Sequence, residues 1–241
     1  MSTELVLLPL SVMAGALTQR VTGIGFALVC APLLVLVAGP FEGVLLANLL
    51  GLLVSAVVLA AHWRDAQWRR GLLLAVPALV AIPPGAWVAR HVPAPQLMVV
   101  IGTLVILALG AVVLSERARI LRGRGGAVVA GGASGFMNVT AGVGGPAIVL
   151  YAVSTSWEHR RFVATFQLFS IVTNCASLLA KGGLPRLPAE ALAVSLGGLA
   201  VGLLGGQWLA RHVDHAAARR LAVGLALAGA TFTVVKGALA W

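Results

Sequence analysis

The sequence predicts an all-α polytopic membrane protein built as two repeated halves, each with a broken, re-entrant segment and three spans. Three observations carry this. Hydrophobic residues make up 60% of the 241 and charged residues 10%, whereas a soluble domain carries about 25% charged residues. Two long apolar runs are interrupted by glycine-rich polar patches, at Thr18 to Gly25 and at Asn138 to Pro146. Segments separated by about 120 residues match each other.

Taken in order, the first apolar segment runs from Glu4 to Ala38. One helix of about 35 residues would be ~52 Å long, against a hydrocarbon core of ~30 Å. The patch Thr18-Gln19-Arg20-Val21-Thr22-Gly23-Ile24-Gly25 therefore divides it into two pieces of about 15 residues each, and Gly39-Pro40 ends the second. Ordinary spans follow at 42–61, 71–90 and 95–115, the middle one with Pro77, Pro83 and Pro84 as candidate kinks. A basic linker, 116–126, holds Arg117, Arg119, Arg122 and Arg124. It separates a first transmembrane repeat (1–115) from a second (127–241). The pattern then restarts with the broken run 127–154, followed by spans at 162–180, 189–211 and 216–240.

The repeat is clearest between Gly85-Ala86-Trp87-Val88-Ala89-Arg90-His91-Val92 and Gly206-Gln207-Trp208-Leu209-Ala210-Arg211-His212-Val213, identical at six of eight positions. Gly23 and Gly25 fall on Gly142 and Gly144, Asn48 on Gln167 and Ser55 on Asn174. Loop charge separates two topologies, because cytoplasmic loops are enriched in Lys and Arg. If each broken segment enters and returns on one side, the repeats are inverted. One face then holds twelve basic residues and the other four: Arg90, Lys181, Arg186 and Lys236. If each crosses once, the repeats are parallel and the split is ten against six. The sharper split favours an inverted pseudo-two-fold with both termini outside.

The breaks are the candidate site. Non-helical backbone inside a bilayer persists only where protein encloses it or water reaches it. A half-helix that begins there offers free N–H groups to an anion, and Pro146 suits a first helical turn. Gly144-Gly145-Pro146 reads as such a start, with Gly25 its counterpart. The candidate binding residues are Thr18, Gln19, Arg20, Thr22, Gly23 and Gly25 at the first break. At the second they are Asn138, Thr140, Gly142, Gly144 and Gly145. Arg20 is the one ionisable residue near mid-membrane, and no acid is placed to pair with it; a bound anion supplies a partner. Asn48, Gln167, Ser170, Thr173 and Asn174 form a second tier, with Gln167, Ser170 and Asn174 on one helical face. By contrast, Gly197, Gly198, Gly202, Gly205 and Gly206 read as helix-packing glycines.

Other chemistries find little support. Basic loops set topology rather than bind nucleic acid. Cys30 and Cys175 read as small apolar residues, and the five histidines as interface residues, so no cofactor or metal is expected. With no Lys or Arg before Arg20, the first segment lacks a signal peptide's positive start and is expected to remain in the mature protein. A membrane-embedded enzyme acting on a sulfur or lipid-linked substrate, or a structural membrane subunit, are the alternatives to a transporter.

Gly23-Ile24-Gly25-Phe26 in the first half, and Gly135-Phe136 through Gly142-Val143-Gly144-Gly145-Pro146 in the second, resemble the paired motifs of the TauE/SafE family of sulfite and organosulfonate exporters. The resemblance covers the whole chain. It implies a multi-pass permease of the bacterial inner membrane for small sulfur-containing anions. Breaks in two matching halves point to alternating access around a site between them, with the lipid bilayer as surroundings and a homodimer allowed.

The inverted reading has a direct test. Tags on the two termini should both be cut by protease added to right-side-out vesicles; two protected termini exclude it.

Overall fold

The computed structural model describes residues 3–22, 25–114, 121–209, 212 and 215–241. Among these, ten α-helices follow one another: α1 (Thr3–Thr22), α2 (Phe26–Ala38), α3 (Pro40–His62), α4 (Trp68–His91), α5 (Ala94–Leu114), α6 (Gly123–Ala141), α7 (Gly145–Ser154), α8 (His159–Lys181), α9 (Ala189–Leu209) and α10 (His215–Leu239). Six of them, α3, α4, α5, α8, α9 and α10, are long and apolar enough to cross a membrane. Large apolar side chains face outward along them: Val80 and Leu204 are each 72% exposed. An exterior of that kind fits a hydrocarbon solvent, not water. α4 runs unbroken through all three of its prolines.

The two broken segments fold as hairpins with unequal arms. α1 and α2 have 20 and 13 residues, α6 and α7 have 19 and 10. The expectation of two equal pieces is thus corrected. Helix α1 continues through Thr18 because the Thr18 hydroxyl bonds back to the Ala14 carbonyl at 2.7 Å, so the polar residue satisfies itself within the helix. Thr140 does the same with Phe136 at 2.6 Å, and α6 runs on to Ala141. Each hairpin returns to its own beginning. Glu4, Leu5 and Leu8 of α1 share a cavity wall with Val37 and Ala38 of α2. The end of α7 meets the start of α6 where Arg122 Nε donates to the Ser154 carbonyl at 3.4 Å. The expected linker is shorter than its sequence suggested, since α6 begins at Gly123; residues 116–120 of it, with Arg117 and Arg119, lie outside the described residues.

Helix pairing crosses between the halves. The most extensive contacts are α1 with α9 and α4 with α6. Glycines set both seams. A Cβ on Gly198 would lie 2.5 Å from the Pro9 carbonyl oxygen, and one on Gly202 would lie 2.8 Å from that of Met13. On the other side, a Cβ on Gly135 would lie 2.6 Å from the Ala78 Cα. Backbones approach this closely only where no side chain intervenes. Contact positions rise together in both pairs (Pro9 with Gly198, Leu17 with Gly206; Ala78 with Gly135, Gly85 with Val139), so these helices run parallel. Two further pairs are antiparallel: α3 with α8, where Phe41 meets Lys181 and Gly51 meets Asn174, and α5 with α10, where Gly102 meets Ala230 and Gly237 meets Pro95.

The repeated octapeptide also repeats its local geometry. Trp87 stacks on His91 and Trp208 on His212, each with centroids 4.7 Å apart. Each histidine Nδ1 lies 2.9 Å from the tryptophan carbonyl.

Gly135→Ala should lower the melting temperature of the purified protein, by the ~1–3 kcal/mol that over-packing costs. Gly197→Ala, with nothing within 4 Å of the added methyl, should leave it unchanged. Equal melting temperatures in both variants would show that the α4–α6 seam is not tight.

Candidate functional site

Gly142 ends α6. Its φ of 71° is left-handed, a conformation that costs a glycine nothing and other residues more. Its N–H bonds to the Asn138 carbonyl at 2.9 Å and that of Val143 to Met137 at 3.4 Å, so the last carbonyls of α6 are satisfied. The chain then turns through Gly144 into α7, with Pro146 in the first turn. The turn is pinned: Ser134 Oγ donates to the Gly144 carbonyl at 2.5 Å. A Cβ on Gly144 would lie 2.9 Å from that hydroxyl. A Cβ on Gly142 would meet Ala31 of α2 at 3.2 Å and Ala47 of α3 at 3.3 Å. The second break is therefore seated against the first half.

At the first break Gln19 performs the equivalent service. Its Oε1 accepts the N–H of Phe26, the first residue of α2, at 3.0 Å. Gly25 caps α2.

Both half-helices begin at one cavity of about 40 Å³. At ~10–15 Å³ per water centre, that is room for a few waters or one small solute. Gln19, Phe26, Ala27 and Leu28 line it from the first hairpin, Asn138 and Gly142 to Gly145 from the second. Ala47, Gly51, Val54 and Ser55 of α3 and Gln167, Ser170, Thr173 and Asn174 of α8 complete the wall. Among the described residues no ionisable side chain lines it. Asn138 Nδ2 donates to Asn174 Oδ1 at 3.0 Å and to Ser177 Oγ at 3.1 Å, so α6 and α8 are joined by polar side chains at the cavity edge. The wall can thus offer amide, hydroxyl and backbone donors, together with the positive ends of two half-helices, and no fixed negative charge.

Of the residues expected from sequence, Gln19, Asn138, Gly142, Gly144, Gly145, Gln167 and Asn174 line the cavity. Gly25 stands at the α2 start beside it. Thr18 and Thr140 turn their hydroxyls to their own helices. Gly23 lies outside the described residues, as does the side chain of Thr22. Arg20 is displaced from the expected position: its stem packs on α9, where a Cβ on Gly206 would lie 2.8 Å from the Arg20 Cβ. Neighbours on a helix point about 100° apart, so with Gln19 toward the cavity Arg20 turns elsewhere, and its Nε is buried without a hydrogen-bond partner.

Asn48 does not line the cavity, yet it is 1% exposed and neither amide atom has a hydrogen-bond partner. Its chain neighbour Ala47, and Gly51 one turn on, do line it. Ser170 and Thr173, expected with Asn48 in the second tier, line the cavity as well, and so does Ser55, which sequence reasoning aligned with Asn174 but did not place among the binding residues. Cys30 is fully buried on the α1–α2 seam, where a Cβ on Gly15 would lie 2.7 Å from its Cβ.

A model of the sulfite exporter TauE/SafE family matches residues 7–233. No curated protein and no solved structure matches the chain.

A buried polar group without a partner costs ~1–3 kcal/mol, and an apolar group of the same shape removes that cost. Asn48→Leu should therefore raise the melting temperature while impairing activity. A lower melting temperature would mean that Asn48 is already satisfied.

Proposed function

The chain belongs to the sulfite exporter TauE/SafE family, a family of membrane transporters for sulfur compounds, and from that premise we propose that it moves small sulfur oxyanions, sulfite or organosulfonates, by alternating access through the central cavity. One observation carries the reading: α2 and α7 both begin at a cavity whose described wall holds amides and hydroxyls and no carboxylate. Helix amino termini favour negative charge, and a buried acid, which would repel an anion, is not among the lining residues.

Specific ligands follow from the geometry. Gln19, Gln167 and Asn174 donate amide N–H groups, and Asn138, whose amide donates to Asn174 and Ser177, holds Asn174 in place. Gly142 to Gly145 let the backbone come close, and Ser55, Ser170 and Thr173 supply hydroxyls. Arg20 acts from behind the first break, as a positive charge held against α9. Asn48 sits one layer further out on α3.

An inverted arrangement of the halves 1–115 and 127–241 is part of this proposal. It is supported by the pairing of α1 with α9 and of α6 with α4, which an exchange of halves carries into each other, and by the antiparallel course of the matched helices α3 and α8, and α5 and α10. The octapeptides at the ends of α4 and α9 support it too. Repeats of this kind place the substrate midway between two faces that open in turn. A bacterial inner membrane as the compartment rests on the family alone.

Purified protein in proteoliposomes should carry sulfite or a short alkyl sulfonate in a saturable way. Gln19→Ala and Asn138→Ala should each cut kcat at least tenfold, and Arg20→Ala should cut it less. Absence of flux for every sulfur oxyanion tried, with the protein monodisperse, would overturn the reading.

A further inference from the structure

A second cavity, about 560 Å³, opens where the amino ends of α3 and α5 meet the carboxyl ends of α4 and α8. Three cations line it, Arg90, Lys181 and Arg186, against one carboxylate, Glu42. Those three are separated by as much as 96 residues of sequence, so the fold alone assembles them.

Among the described residues the salt bridges are Asp65 with Arg160 and Glu158 with Arg161, and none of the three takes part. The one carboxylate beside them leaves an excess of positive charge. Arg90 donates to the Ala180 carbonyl, and Lys181 Nζ donates to the Phe41 carbonyl at 3.2 Å while lying 4.3 Å from the Phe41 ring centroid. Lys181 is only 4% exposed. The Glu42 carboxylate accepts the backbone N–H of Arg186 at 2.7 Å, so part of its capacity goes to fixing the turn rather than to a cation. Lys181 is buried beside two exposed arginines of the same charge; like charges gathered in one concavity repel, and a bound anion relieves them. Arginine adds paired donors of fixed geometry for an oxyanion.

The second cavity is in line with the first. Asn174, Ser177 and Lys181 fall at i, i+3 and i+7, one face of α8. Asn174 lines the central cavity, Lys181 the outer one, and Ser177 accepts the Asn138 amide between them. Seven residues of helix put the two ends about 10 Å apart.

We propose that this vestibule is a second anion site, taking a small doubly charged oxyanion, and that it loads and unloads the central cavity along that face of α8. The loading role rests on the transport reading above; the binding site itself does not.

Calorimetric titration of the full-length protein in nanodiscs with sodium sulfite tests it. The wild type should bind at two classes of site. Arg90→Gln/Arg186→Gln, both at exposed positions, should lose one class or weaken it at least tenfold and keep the other. Asn138→Ala should do the reverse. A double variant that binds like the wild type overturns the vestibule and leaves the central site standing. Binding that survives Asn138→Ala in full and disappears in the double variant keeps the vestibule and removes the central site. No binding by the wild type, or loss of both classes in a monodisperse double variant, overturns a separate second site.

Discussion

A backbone that leaves the helix in mid-bilayer must find enclosure, because hydrocarbon offers no hydrogen bonds. That constraint organises this molecule. The turn at Gly142 to Gly144 is held by the Ser134 hydroxyl and by its seat against Ala31 and Ala47. The first N–H of α2 is held by Gln19. Around both breaks the six long helices form a wall. The cavity between the breaks is what enclosure leaves over once the turns themselves are satisfied. Its polarity comes partly from the hairpins, through Gln19 and Asn138, and partly from α3 and α8, through Ser55, Gln167, Ser170, Thr173 and Asn174.

Close packing supplies the second requirement. Helices in lipid gain little from hiding apolar surface, so van der Waals contact between backbones has to hold them. Gly198 and Gly202 against α1, and Gly135 against α4, provide that contact. Both seams join one half to the other, and each brings a long hairpin arm against a spanning helix. A relative movement of the hairpins thus has to carry α4 and α9 with it.

Much of this was legible in the sequence, residue by residue. Gly142 to Pro146 announced a helix end, a turn and a helix start, because glycine and proline each have one cheap role there. The glycines of the break were distinguishable from those of α9 because Asn138 and Thr140 flank them, a polar pair that helix packing alone does not call for. Two things were hidden. The hydroxyls of Thr18 and Thr140 looked like site groups, but a threonine can close on its own helix, so hairpin arms come out longer than a polarity pattern suggests. The direction of Arg20 was hidden as well: adjacent residues beside a break cannot be assigned to faces until one contact, here Gln19 with Phe26, fixes the rotation. The vestibule was partly legible, since Arg90, Lys181 and Arg186 stood out as basic residues on the face that has few of them, but only folding brings them into one concavity.

The pairing of α1 with α9 has a consequence for how the chain is made. Pro9 and Gly198 touch in the finished protein and are 189 residues apart in the chain. At ~5–20 residues per second of synthesis, the first helix leaves the ribosome roughly 10 to 40 seconds before its partner exists. During that interval its packing face, with Arg20 near its end, has only lipid or a temporary neighbour to lie against. α1 is thus made long before its packing is complete, and an insertase or chaperone that shelters it has a defined surface to hold: the one later covered by three glycines.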